Sequence, residues 1–103
     1  MIFSVIISED AEADIIRIAD YISNELYSLQ AAYDLMYEVR KQILALSHMP
    51  KRFALVDDER LASKGVRLIP VKNFLIFYVV DEEAKTVNIV GVMYGKRDWM
   101  NLL

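Results

Sequence analysis

The sequence predicts an α+β fold: an N-terminal strand, an antiparallel helical hairpin, then a three-stranded antiparallel meander. Three observations predict it. Apolar residues recur at helical spacing through two segments separated by a short break. Three strand-like apolar runs follow one another in the last third of the chain. The length, 103 residues, suits one hydrophobic core and is too short for two, so residues 1–103 read as a single domain.

Residues 2–7, Ile2-Phe3-Ser4-Val5-Ile6-Ile7, are short and rich in β-branched and aromatic side chains, which predicts a strand. Ser8-Glu9-Asp10 has the composition of a helix start. A small oxygen-bearing side chain caps free amides there, and acids suit the positive end of the helix dipole. Ala11, Ile15, Ile18, Ala19, Ile22 and Leu26 follow at helical spacing, predicting an amphipathic helix over about 9–26. A break at Tyr27-Ser28 precedes a second apolar series, Ala32, Leu35, Met36, Val39, Ile43 and Leu46. That series ends at Met49-Pro50, because the residue before proline disfavours helix. So short a break makes the two helices antiparallel neighbours.

Residues 47–65 are polar and irregular in pattern, and are the expected long, mobile connection. Strands are predicted near 66–72, 74–80 and 86–93, with Asp81-Glu82-Glu83-Ala84-Lys85 as a hairpin loop. In Phe74-Leu75-Ile76-Phe77-Tyr78-Val79-Val80 both alternating sets are apolar, so this strand is expected at the sheet centre, covered on both faces. Tyr78, between Ile76 and Val80 in that alternation, reads as core. The strand order lets Arg67 and Arg97, thirty positions apart, share one small sheet.

Charge and composition exclude several functions. The net charge of −3 argues against broad electrostatic binding to nucleic acid, and no direct sequence-specific DNA binding is expected. The basic character lies toward the C-terminal part, with 5 Lys+Arg against 4 Asp+Glu after residue 66 and 7 against 11 before it. Without cysteine there is no disulfide, thiol nucleophile or cysteine-bound zinc, and the lone His48 makes no multi-histidine metal site. No metal or other cofactor is expected. No apolar run approaches transmembrane length, so no membrane partner is expected. The N-terminus lacks the positive flank of a signal peptide, and a cytoplasmic location follows as the expectation.

The order of elements, together with Ala31-Ala32, Leu46-Ser47-His48-Met49-Pro50, Arg67 with Pro70-Val71, Phe74-Leu75-Ile76-Phe77-Tyr78 and Tyr94-Gly95-Lys96-Arg97-Asp98, resembles the RelE/ParE superfamily of bacterial type II toxins. The resemblance covers nearly the whole chain. It implies a toxin neutralised by a cognate protein antitoxin in a plasmid-stabilising module. It also implies one of two activities: ribosome-dependent cleavage of mRNA in RelE-like members, or poisoning of DNA gyrase in ParE-like members.

An mRNA interferase must deprotonate a 2′-hydroxyl, stabilise a pentavalent phosphate and protonate the leaving oxygen. On the RelE-like reading Arg67, Lys96, Arg97 and Tyr94 are the catalytic candidates of a metal-independent endoribonuclease, the arginines holding phosphate bidentately. Yet Leu75 stands where RelE-like toxins carry a central-strand arginine, and the tail Trp99-Met100-Asn101-Leu102-Leu103 lacks their tyrosine. Tyr94 takes a place often held by histidine, and a phenol of pKa near 10 is a poor base. The sequence therefore resembles the ParE-like branch better, and the pI of about 5.1 agrees. On that reading Arg67, Arg97, Asp98 and Trp99 contact gyrase, with the ribosome and its mRNA as the alternative target and a non-toxic interaction module as a third reading.

Blander roles stand beside these. Arg67 and Arg97 also fit surface ion pairs with Asp98 or nearby glutamates. Trp99 fits a packing anchor, His48 a helix-end cap, and Lys51-Arg52 a solvated loop. Tyr21, Tyr27, Tyr33 and Tyr37 fit an aromatic antitoxin interface around the hairpin, or side chains lying on an outer helix face.

Overall fold

Ser4–Ile7 forms β1, and Ser8 caps the helix that follows, its hydroxyl accepting from the Ala11 N–H at 3.0 Å. Residues 2–95 are described by the computed structural model. Helix α1 spans Glu9–Leu26 with Glu9, Asp10 and Glu12 in its first turn. It ends at Tyr27, which adopts the left-handed conformation (φ 50°). Ser28 then caps α2, Leu29–Ala45, accepting from the Ala31 N–H at 3.1 Å. The break predicted at Tyr27-Ser28 is thus one residue closing a helix and the next opening another. Arg40, late in α2, pairs with Glu12, early in α1, as antiparallel packing requires.

Three strands follow: β2 (Val66–Val71), β3 (Phe74–Asp81) and β4 (Thr86–Tyr94), consecutive and antiparallel. The meander is as expected. β1 joins it by pairing parallel with β4, Ser4 opposite Thr86 and Ile7 opposite Ile89, giving the order β1-β4-β3-β2.

β3 is covered on both faces. Phe74, Ile76 and Tyr78 pack against Ala11, Ile15, Ile18 and Ile22 of α1 and Val39 and Ile43 of α2 in one core. Phe77 points the other way, into a smaller core with Val56, Leu61 and Val66. The connection between α2 and β2 supplies that second layer, which corrects the expectation of an irregular segment. A 3₁₀ turn (Pro50–Arg52) and a short helix α3 (Glu59–Ala62, capped by Asp58) order it. The Val56 N–H donates to the Val66 carbonyl and the Leu68 N–H to Ala54, so residues 54–56 partly cover the outer edge of β2. Val56 closes the short run Phe53-Ala54-Leu55-Val56 and Leu61 stands apart from it, a pattern with no sustained period.

One irregularity shapes β4. Phe77 pairs with Gly91 and Tyr78 with Ile89, leaving Val90 as a bulge residue. An extra residue reverses the alternation of faces, so Val87 and Ile89 before it and Val92 and Tyr94 after it reach the same core.

Candidate functional site

Among the described residues the predicted site side chains fall at two corners of the helix-facing side of the sheet. Arg67 sits on β2 directly opposite Tyr78 of β3. Tyr94 ends β4 opposite Phe74. Tyr78 and Phe74 are four residues apart on β3, about 13 Å, and β2 and β4 lie two strand spacings apart, about 10 Å. The Arg67 and Tyr94 backbones are therefore well separated. Lys96, Arg97, Asp98 and Trp99 lie outside the described residues.

At the first corner, Arg67, Tyr78 and Arg52 all donate to backbone carbonyls. Half-buried Arg67 donates from Nη1 to the Phe53 carbonyl at 2.6 Å and, more weakly, to Lys51 at 3.4 Å. Fully buried Tyr78 donates its hydroxyl to the Pro50 carbonyl at 2.7 Å. Burial pushes the phenol pKa up from its ordinary 10.0, against the opposing pull of the Arg67 and Arg52 guanidiniums. Arg52 donates to the carbonyls of His48, Met49 (3.2 Å) and Ala45 (3.4 Å), and its guanidinium lies 4.9 Å from the centre of the Phe53 ring. Arg67 and Tyr78 fasten residues 50–53 to the sheet, and Arg52 ties that turn to the end of α2. Lys51 and Arg52, expected in a solvated loop, belong to this ordered turn. His48 is exposed, and its backbone bridges to Ile2.

At the second corner, half-buried Tyr94 packs against Phe74 with ring centres 5.0 Å apart and against Tyr21 of α1 at 6.3 Å, both tilted at 58°. The Gly95 N–H, in a glycine at φ 89°, donates to the Asn73 carbonyl at 2.8 Å and holds the end of β4 on the β2–β3 turn. Tyr94, the last residue of β4, is a rim residue with its ring engaged in packing.

The sequence also missed Asp14. Its carboxylate accepts from the Val92 N–H at 3.1 Å and pairs with Arg17 at 2.6 Å. No local pattern distinguishes Asp14 from the other acids of α1. No group of three or more histidine or acidic side chains able to hold a metal gathers among the described residues. No helix among them is long and apolar enough to cross a membrane.

The family model described as ParE toxin of type II toxin-antitoxin system, parDE, matches residues 5–99. The chain belongs to the ParE toxin family. Two solved structures share the fold of this ParE-family toxin. One is the chromosomal ParDE toxin–antitoxin system from P. aeruginosa (TM-score 0.75, 20% identity, covering 92% of this chain and 98% of that one). The other is the toxin–antitoxin complex RelBE2 from Mycobacterium tuberculosis (TM-score 0.67, 19% identity, covering 91% and 92%). No curated protein matches the sequence. At such identities the neighbours show the ParE-like fold, and the family match makes the chain a ParE-type toxin of a toxin–antitoxin system.

Proposed function

We propose that this toxin arrests growth by protein–protein contact with DNA gyrase in the cytoplasm. We further propose that a cognate antitoxin, encoded beside it in a plasmid-stabilising module, neutralises it. The observation that carries the reading is the employment of Arg67. One guanidinium nitrogen, Nη1, donates to the Phe53 and Lys51 carbonyls, at the far corner of the sheet from Tyr94, and Leu75 faces the opposite core. Phosphoryl transfer needs its catalytic groups converging on one phosphate, and the Arg67 and Tyr94 backbones stand well apart. Target contact then falls to Arg97, Asp98 and Trp99, which follow β4 in sequence. Support for an antitoxin helix comes from the hairpin, where Tyr21, Tyr33, Tyr37 and Leu44 are exposed.

The test is induction of the chain alone in bacteria, reading plasmid supercoiling and message integrity in parallel. Altered supercoiling with intact messages is expected. Rapid message cutting with normal supercoiling overturns the gyrase reading and restores Arg67, Lys96, Arg97 and Tyr94 as candidates of an mRNA interferase.

A further inference from the structure

Beside the fastened turn lies a hollow of about 520 Å³ lined by Phe3, Met49, Pro50, Lys51, Arg52, Glu82 and Lys85. Neither the gyrase reading nor the antitoxin contact uses it. Its surface combines two chemistries. Phe3, Pro50 and Met49 give an apolar lining, Met49 being 75% exposed although it is a large apolar side chain. Lys51, Arg52 and Lys85 bring three cations against the single carboxylate of Glu82, in a chain whose net charge is −3.

The two ammonium groups share that one carboxylate. Lys51 Nζ lies 2.8 Å from one Glu82 oxygen and Lys85 Nζ lies 3.6 Å from the other. Lys85 also lies 5.5 Å from the centre of the Phe3 ring. Glu82 therefore marks where a carboxylate sits between two lysines at the edge of an apolar surface. Lys51 holds its carboxyl below the ordinary range. The backbone around the hollow is constrained as well. Met49 (φ 47°) and Lys85 (φ 55°) both adopt the left-handed conformation that non-glycine residues rarely take.

We infer that this hollow is a docking site for an acidic peptide segment, one carrying a carboxylate beside a large apolar side chain. The apolar side chain packs on exposed Met49, over the floor that buried Phe3 and Pro50 form. The peptide carboxylate takes the place of Glu82 between Lys51 and Lys85, and Arg52 remains committed to the turn. Charge complementarity selects the partner's sign. The exposed Met49 side chain selects a peptide over nucleic acid, because a phosphate backbone leaves it uncovered and meets repulsion from the rest of this acidic chain. The inference does not depend on which target the toxin poisons.

The experiment is fluorescence anisotropy on the purified full chain with a labelled nonapeptide in which two glutamates flank a leucine and a phenylalanine. Three competitors are used: the glutamine form of the peptide, a form with serine at both apolar positions, and a nine-nucleotide single-stranded RNA. The acidic apolar peptide is expected to bind, and each altered peptide to bind at least tenfold more weakly. Charge reversal by Lys51→Glu with Lys85→Glu is expected to weaken binding at least tenfold. Lys64→Glu, at an exposed residue after α3 that does not line the hollow, is expected to leave it unchanged. Glu82→Gln, which releases both ammonium groups, is expected to tighten binding severalfold, and circular dichroism on each variant confirms the fold. Absence of binding, equal binding of the glutamine peptide, preference for RNA, or insensitivity to the double reversal and to Glu82→Gln would each overturn the inference.

Discussion

The Asp14 carboxylate of α1 accepts a hydrogen bond from the backbone N–H of Val92 in β4, 78 positions away in sequence. Parallel pairing of β1 with β4 ends at Ile89, one residue before the Val90 bulge. Beyond that point β4 has no strand on that side, and the helix that begins where β1 ends offers a carboxylate to a backbone donor instead. Helix and sheet are thus joined by a directed bond as well as by apolar contact. Asp14→Ala is expected to lower unfolding stability by about 1–3 kcal/mol, the cost of stranding a part-buried donor. Asp14→Asn, which keeps an acceptor oxygen, is expected to lose less. Urea denaturation of the two variants checks the order.

Tyr78 is expected to matter for stability through its hydroxyl. Tyr78→Phe keeps the ring and removes the bond to the Pro50 carbonyl, for an expected loss of about 1–2 kcal/mol. The same group gives the wild-type chain an alkaline sensitivity. Because the folded pKa lies above 10.0, the neutral phenol stabilises the fold fully below about pH 10, and that contribution drains away as pH climbs through the raised value. Denaturation midpoints measured from pH 8 to 11 should fall more steeply for wild type than for Tyr78→Phe.

Arg67 tests whether a predicted site residue is a brace. Arg67→Ala removes the bonds to Phe53 and Lys51 and is expected to cost about 1–2 kcal/mol. Arg67→Lys keeps one donor and is expected to recover part of that loss. Growth arrest by the two variants should track their folded fraction. A fully folded Arg67→Lys protein with no toxicity would instead make Arg67 a contact residue.

Tyr27 offers the opposite sign. It closes α1 at φ 50° while 95% exposed, so its ring gains little from the fold and its backbone adopts a conformation glycine takes more readily. Tyr27→Gly is expected to raise stability by about 0.5–1 kcal/mol. A thermal melt reads it directly.

Cap chemistry provides a check on the hairpin. Ser28→Ala exposes the Ala31 N–H at the start of α2 and is expected to cost about 1 kcal/mol, with Ser28→Asp close to neutral. Chemical denaturation of both variants distinguishes capping from any general intolerance at that position.

Much of this architecture was legible from period and punctuation. The helical spacing of Ala11, Ile15, Ile18 and Ile22, the Tyr27-Ser28 break, and the doubly apolar run from Phe74 to Val80 each report a local choice: which face is buried and where the backbone turns. The connection before β2 was not legible, because Val56 and Leu61 carry no period and become core only against Phe77 and Val66. The candidate site was legible in part. Tyr78 read correctly as core, but nothing in the sequence told that Arg67 would donate to the Phe53 carbonyl.

The sequence by itself determined the succession of helices and strands, the membership of the main core and the kinship to the ParE toxins. The first two follow from side-chain pattern over neighbouring residues, where 3.6-residue and two-residue periods are set by local geometry, and the kinship rests on the resemblance carried by motifs such as Tyr94-Gly95-Lys96-Arg97-Asp98. Only the tertiary structure decided that β1 pairs parallel with β4, that Asp14 meets Val92, that Arg67 and Tyr94 occupy opposite corners, and that Lys51 and Lys85 share Glu82 above an apolar hollow. Each of those is a contact between groups far apart in the chain, fixed by how packed layers bring unsatisfied donors and charges within reach, and no local pattern encodes that distance.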